Sequence, residues 1–154
     1  MFSFLDIRSY LPKIVVIVIC SLTLASCVLP MEDINSNPEY TNIIGRKISA
    51  KTELWATGIT LDQNYKKQID GIVLAPEVGF TGPEVITRER VKVGSIFGIV
   101  GVLKTKSIIN STKYYLVKEI GSNTYKDIAI WVMITGVAKD DNYGLDKLVY
   151  EKID

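Results

Sequence analysis

Few side chains in this sequence could carry catalytic chemistry, because its 154 residues include no histidine and only two cysteines, Cys20 and Cys27. Histidine is the usual general base near neutral pH and the commonest metal ligand. Its absence excludes serine–histidine and cysteine–histidine catalysis. No glycine-rich phosphate loop precedes a predicted helix. We therefore expect a protein that is not an enzyme and that holds no cofactor and no metal.

Pairs of carboxylates are the remaining means of acid–base chemistry. Asp62 with Asp70, or Glu77 with Glu84, could in principle act as acid and base in a hydrolase of cell-wall polymers. Neither pair has a spacing signature, and acids in turns are ordinarily solvated. The run Asp140-Asp141-Asn142 lacks the alternating acids and the distal glutamate of a calcium loop, so it predicts a turn.

Cys27 ends an apolar segment near the amino terminus. Residues 1–13 carry two basic residues against one acid, and Ile14–Ala25 contains only two polar residues. A charged start, a short apolar middle and small residues at the end predict a secretory signal. Twelve helical residues reach about 18 Å, which is too short for the ~30 Å hydrocarbon core of a bilayer.

The residues Leu24-Ala25-Ser26-Cys27 resemble the lipobox of bacterial lipoproteins. The resemblance covers residues 1–27 and implies that residues 1–26 are removed, that the thiol of Cys27 carries a diacylglyceryl group, and that the new amino terminus is acylated. Two or more acyl chains anchor a protein stably. Val28, in place of the Asp that retains such proteins at the inner membrane, implies the outer membrane, facing the periplasm. An ordinary signal peptide or an uncleaved anchor is the alternative.

The mature chain that begins at Cys27 is electrically neutral, with sixteen basic and sixteen acidic residues. A neutral chain creates no long-range field that would attract nucleic acid, so we expect no nucleic-acid partner. Once Cys27 is alkylated, no thiol remains for a disulfide, and the fold depends on its hydrophobic core.

The mature chain is predicted to contain a lipidated tether, residues 27–37, and a single domain, residues 38–154. Asn37 can cap a helix that Pro38 begins and Gly45 ends, which predicts one short helical segment. Ile43 and Ile44 would pack on the core.

Alternating apolar residues and regularly spaced turns predict β-strands over the rest of the domain. The predicted strands are 46–56, 69–75, 85–91, 96–103, 113–120, 127–135 and 147–153. Gly98 and Gly101 indicate a bulge or bend, and the strand 127–135, apolar on both faces, is predicted to be the central one. The pattern is typical of a small antiparallel barrel, SH3-like or OB-like, and a β-sandwich is the alternative.

Three aromatic residues are candidates for recognition or for the core. Trp55 falls on the polar face of its strand and could anchor a partner, unless a second layer such as residues 38–45 covers it. Phe80 lies in a Gly/Pro-rich loop and could bind a partner or close the end of a barrel. Trp131 lies in the most apolar strand and is predicted to belong to the core.

Together these features predict a membrane-anchored cell-envelope lipoprotein with a non-catalytic, protein-binding or assembly role. A barrel that binds a small molecule or lipid is the first alternative, because Gly71, Ala75, Gly98 and Gly101 could leave room inside it. The carboxylate-dependent hydrolase is the second alternative.

Overall fold

A computed structural model describes residues 31–62, 64, 65, 67–79, 81–106, 111–122 and 124–153. The predicted signal segment and two predicted site residues, Cys27 and Phe80, lie outside this part of the chain. Strands are the only regular elements in the described ranges. They are β1 (Met31–Asp33), β2 (Lys47–Ala50), β3 (Leu54–Ile59), β4 (Gly71–Ala75), β5 (Val85–Val91), β6 (Ile96–Thr105), β7 (Lys113–Ile120), β8 (Ala129–Met133) and β9 (Tyr150–Ile153).

The nine strands form one sheet in the order β5-β3-β4-β8-β7-β6-β2-β9, and β1 also pairs with β6. The mainly β class is confirmed, and β8 is central as predicted. The strand order is an open path, so the predicted closed barrel is not observed, and a single sheet is not the two-sheet sandwich. The pair β4–β8 is parallel, so the all-antiparallel prediction is wrong. Parallel neighbours need a long connection, here β5 to β7, which local patterns cannot reveal.

The predicted first strand is divided into β2 and β3 by a bend at residues 51–53. At this corner the amide of Ala50 donates to the carbonyl of Ser95 (3.0 Å), and its carbonyl accepts from the amide of Gly94 (2.8 Å). The carboxyl end of β2 is therefore fixed to the turn that connects β5 to β6. At the other end of the chain, a turn at residues 146–149 shortens the predicted last strand to β9.

Residues 34–45 form consecutive turns, and the predicted helical segment is wrong. The Asn37 side chain caps the amide of Glu39 (3.0 Å) as expected, and the amide of Ile44 reaches the carbonyl of Tyr40 in a single α-type bond (3.1 Å). Gly45 then adopts a φ of 93° and donates its amide to Ile99 of β6 (2.8 Å). This contact turns the chain onto the sheet before a helix can extend. No helix in the described ranges is long and apolar enough to cross a membrane.

The hydrophobic core lies on one face of the sheet, here called the inner face, and the turns 34–45 cover part of it. Tyr40, Phe97 and Tyr115 are completely buried there. The rings of Tyr40 and Tyr115 meet edge to face with centroids 6.3 Å apart. Lys113 Nζ lies 2.6 Å from the Tyr40 hydroxyl and closes the cluster at the surface.

The predicted irregularity in the glycine-containing strand is confirmed, because the β6–β7 register shifts between Ile99 and Gly101. The amide of Val102 donates to Oδ1 of Asn35 at 2.6 Å. Asp33 in turn accepts from both the amide and the side chain of Asn35, at 2.8 and 2.9 Å. The Asn35 side chain therefore supplies a hydrogen-bond acceptor for the backbone of β6 beside the bulge.

Candidate functional site

The face of the sheet opposite the core, here called the outer face, carries a row of apolar and aromatic residues. Directly opposed residues on neighbouring strands share a face. In this register Trp55 opposes Ala75, and Val73 opposes both Thr57 and Trp131. The outer face consists of Trp55, Thr57, Val73, Ala75, Tyr114, Leu116, Trp131 and Met133.

Trp55 lies on the outer face, opposite the buried Leu54, as its place in the alternation predicts. Its ring is half-buried and is covered by the guanidinium of Arg90, whose Cζ lies 4.1 Å from the ring centroid. Arg90 also forms an ion pair with Glu53. The described contacts of residues 34–45 are with β6, β7 and their neighbours, so Arg90, rather than that segment, covers Trp55.

A groove of about 330 Å³, here called the outer groove, is bounded by β3, β4, β7 and β8 and by the segment 146–150. Its walls are mainly apolar and include Val73, Ala75, Tyr114 and Met133. Met133 is 47% exposed. Gly79, the chain neighbour of Phe80, also lines this outer groove. Gly79 therefore lies near β4, the strand that pairs with β3.

Tyr150 also lines the outer groove and is 5% exposed. Its hydroxyl oxygen has no hydrogen-bond partner among the described residues. Burial, followed by the nearby Asp146 carboxylate, raises the pKa of Tyr150 well above the ordinary tyrosine value. This hydroxyl is therefore held neutral and unpaired next to an apolar groove.

No protein-family model, curated protein or solved structure matches this chain. The geometry of the site and the sequence are therefore the basis for its function.

Small residues create less room than the sequence predicts. A Cβ on Gly71 would lie 2.6 Å from Cζ2 of Trp131, so the indole ring already fills that space. Gly101 faces the side chain of Asn35, and Gly98 faces Ile120. Of the four small residues predicted to line a cavity, Ala75 lines the outer groove.

A second cavity, of about 470 Å³, lies beside the connection between β7 and β8. Lys126 and Asp127 line it and are exposed. The Tyr125 hydroxyl donates to Glu89 at 3.2 Å. Burial, and then the Glu89 charge, raise the pKa of Tyr125 to about 12. The lining of this larger cavity combines these charged residues with apolar ones such as Leu116 and Ile128. The outer groove is the more apolar of the two, so it is the better candidate ligand site.

Asp62 and Asp70, predicted as one possible catalytic pair, lie in the same loop and organise its backbone. Asp70 accepts hydrogen bonds from the Thr60 hydroxyl (3.0 Å) and the Leu61 amide (2.7 Å). Asp62 accepts from the Asn64 amide at 2.9 Å. These are turn-forming roles for both carboxylates.

The other predicted pair, Glu77 and Glu84, makes no described contact between its two carboxylates. Glu84 contributes its backbone carbonyl to the amide of Thr60 at 2.9 Å, and Glu77 is exposed.

The acidic run near residue 140 forms the predicted turn. Asp140 accepts from the amides of Asn142 and Gly144, both at 2.8 Å. Asp141 pairs with Lys147 at 2.6 Å, and the hydrogen bond from Lys147 lowers the pKa of Asp141. In the described ranges, no three His, Cys, Asp or Glu side chains converge as a metal site would require.

Sequence reasoning missed Tyr114, Val73 and Met133 as members of a candidate site. The prediction that Trp131 is a core residue is confirmed, because it is 4% exposed and belongs to the buried hydrophobic residues. It lies on the outer face, where it opposes Val73 and Leu116. The available signal was the strand at Ile128–Ile134, which is apolar on both faces: the side that does not meet the core must be covered by something else.

Proposed function

We propose that this chain is a membrane-anchored, non-catalytic cell-envelope lipoprotein that binds another protein through Trp55 and Arg90. The observation that carries the proposal is the half-exposed Trp55 ring under the Arg90 guanidinium, on two hydrogen-bonded strands. Tryptophan and arginine are enriched among residues that dominate binding energy, and a rigid strand pair presents them at low entropic cost.

The anchor in this proposal is the lipid on Cys27. The motif Leu24-Ala25-Ser26-Cys27 supports it, and the mature chain has no histidine to support common catalytic mechanisms. Replacement Cys27→Ser is expected to abolish labelling by a radioactive fatty acid and to release the protein from the membrane fraction. A mutant that still sediments with membranes would instead favour an uncleaved anchor.

Partner binding is tested by photo-crosslinking in intact cells. A photoreactive amino acid at position 55 is expected to trap one defined protein, and a matched one at Leu148, which is 82% exposed, is expected not to trap it. Immunoblotting checks that the two variants are expressed at the same level. Equal crosslinking from positions 55 and 148 would count against a partner surface at Trp55.

A second candidate function is the binding of a small apolar molecule or lipid in the outer groove. Its volume of about 330 Å³ lies at the lower end of the ~300–1,000 Å³ typical of ligand sites. The unpaired Tyr150 hydroxyl supplies a polar group beside apolar walls. Native mass spectrometry of residues 28–154 purified from cells is expected to show a bound lipid that Ala75→Leu removes. Absence of any adduct in the unmodified protein would eliminate this candidate.

A further inference from the structure

The first strand of the domain fixes where the amino terminus leaves the sheet. β1 runs antiparallel to β6, with Met31 opposite Thr105 and Asp33 opposite Leu103. β1 therefore begins at the carboxyl end of β6, where Met31 lies opposite Thr105. Residues 31–33 were predicted to belong to a flexible tether, but they are paired in the sheet.

Contacts after β1 hold this exit point in place. The amide of Ile34 donates to the carbonyl of Val102 at 3.1 Å, and the side chain of Asn35 accepts from the amide of Val102. Residues 31–35 therefore supply hydrogen-bond partners to the backbone of β6 from Val102 to Thr105. The amino-terminal strand is fixed to the domain by these bonds.

Only three residues, Val28 to Pro30, separate Cys27, the proposed lipid attachment, from Met31 at the start of β1. A fully extended chain spans at most about 3.6 Å per residue, so the Cα atom of Cys27 lies within about 14 Å of Met31. The ten residues of β6 extend for about 33 Å. The connector is therefore much shorter than the strand, and it can bring only one end of β6 close to the membrane.

The side chains at that end suit a lipid interface. Lys104 and Lys106 lie at the carboxyl end of β6. Tyr114 opposes Leu103, and the exposed Met133 opposes Tyr114, so these two apolar groups lie in the same cross-strand row as β1. Lysine and tyrosine place their polar ends among headgroups and their apolar parts below them, and lysines attract anionic lipids.

We propose that the end of the sheet at Met31, Lys104, Lys106, Tyr114 and Met133 lies against the lipid bilayer. We call it the proximal end. The opposite end of β6, at the turn that contains Val93, points away from the membrane. This inference rests on the lipidation of Cys27 proposed above, and it names the bilayer surface as the partner of the proximal end.

The experiment uses the full lipidated chain in vesicles of phosphatidylethanolamine and phosphatidylglycerol that carry a nitroxide quencher on their headgroups. The mature chain offers no other free thiol, so Lys106→Cys and Val93→Cys can each carry one fluorophore. Val93 is 61% exposed and precedes the opposite end of the same strand. We expect quenching at position 106 to be several-fold stronger than at position 93.

A control variant lengthens the connector with a flexible Gly/Ser insert of about 12 residues between Pro30 and Met31, which spans roughly 19 Å. The ratio of quenching at the two positions is expected to fall towards one. If the ratio of quenching at positions 106 and 93 stays high after the insertion, the short connector is not what orients the domain. Equal quenching at both positions of the unextended chain would overturn the orientation itself.

Flotation of the same samples separates the two proposals. If the labelled protein does not float with the vesicles, the lipid anchor has failed, and with it the proposed attachment. If it floats but both labels are quenched equally, the anchor stands and only the orientation is wrong. Circular dichroism of each variant checks that the introduced cysteine leaves the sheet intact.

Discussion

The two faces of the sheet bury aromatic residues in different ways. On the inner face Tyr40 and Tyr115 are completely buried, and each hydroxyl has a partner, Lys113 Nζ at 2.6 Å and the Tyr143 carbonyl at 2.7 Å. On the outer face Trp131 is buried with an unpaired indole nitrogen, and Trp55 remains half-exposed. The inner face therefore carries the stability of the fold, and the outer face retains groups available for binding.

The largest expected effect is on the inner face. Tyr40→Ala removes a fully buried aromatic ring and the hydrogen-bond partner of Lys113, so we expect a loss of about 3–5 kcal/mol in the free energy of unfolding. Trp55→Ala, its outer-face counterpart, should cost no more than about 1 kcal/mol. Urea unfolding followed by circular dichroism measures both. Equal losses would remove the proposed division between the faces.

The second prediction concerns the close packing of Trp131 over Gly71 on the outer face. Gly71→Ala puts a methyl group into the Trp131 ring, and such overpacking costs about 1–3 kcal/mol. Gly98→Ala is the control, because its Cβ would lie at an ordinary 3.5 Å from Cδ1 of Ile120. Thermal unfolding compares the two variants. If Gly98→Ala lowers the unfolding temperature more than Gly71→Ala does, the close packing of Trp131 over Gly71 does not limit stability as predicted.

The third prediction compares two buried tyrosine hydroxyls. Tyr115→Phe loses the bond to the Tyr143 carbonyl and should destabilise by about 1 kcal/mol. Tyr150→Phe removes a hydroxyl without a described partner, so stability should be unchanged or slightly higher. Chemical unfolding at pH 7 measures the difference, and a clear loss in Tyr150→Phe would reveal a partner for its hydroxyl.

The same tyrosines give the protein a dependence on alkaline pH. Burial is the main cause that raises the pKa of both Tyr115 and Tyr150 above the ordinary value near 10. The folded state then holds these protons more tightly than the unfolded state, so the stabilisation is complete below about pH 10 and is lost as pH rises above it. Tyr150→Phe should show a smaller alkaline loss than the unmodified protein. An identical pH profile would contradict the burial of this hydroxyl.

The smallest effect on stability is expected from Arg90→Gln. The ion pair with Glu53 is about half exposed on both sides, so its loss should change unfolding by no more than about 0.5 kcal/mol. Crosslinking from position 55 should nevertheless fall strongly, because Arg90 opposes position 55 on the neighbouring strand and belongs to the proposed partner surface. Arg88→Gln on the same strand removes the same charge and is expected to leave crosslinking intact. Equal effects of the two variants would indicate a general role of charge.

Local patterns predicted the strands well where each strand meets the core with one face. The strands at Val85–Val91 and Lys113–Ile120 have the predicted bounds, and the glycine-containing strand has its bulge. The prediction of a helix at 37–45 failed because Gly45 bonds to β6, a contact between segments far apart in sequence. Trp131 is buried as predicted, but its strand is apolar on both faces, so alternation could not show which face of the sheet its ring occupies.

The amino-acid sequence by itself determined the β class, the central place of the strand around Trp131, the equal numbers of basic and acidic residues from position 27 onward and the lack of histidine. These properties depend on residue type and on spacing over a few positions. The tertiary structure alone decided the parallel pairing of β4 with β8, the outer groove, the Arg90–Trp55 contact and the fixed position of β1. Each of these depends on register between segments that are distant in the chain, and local propensity does not encode register.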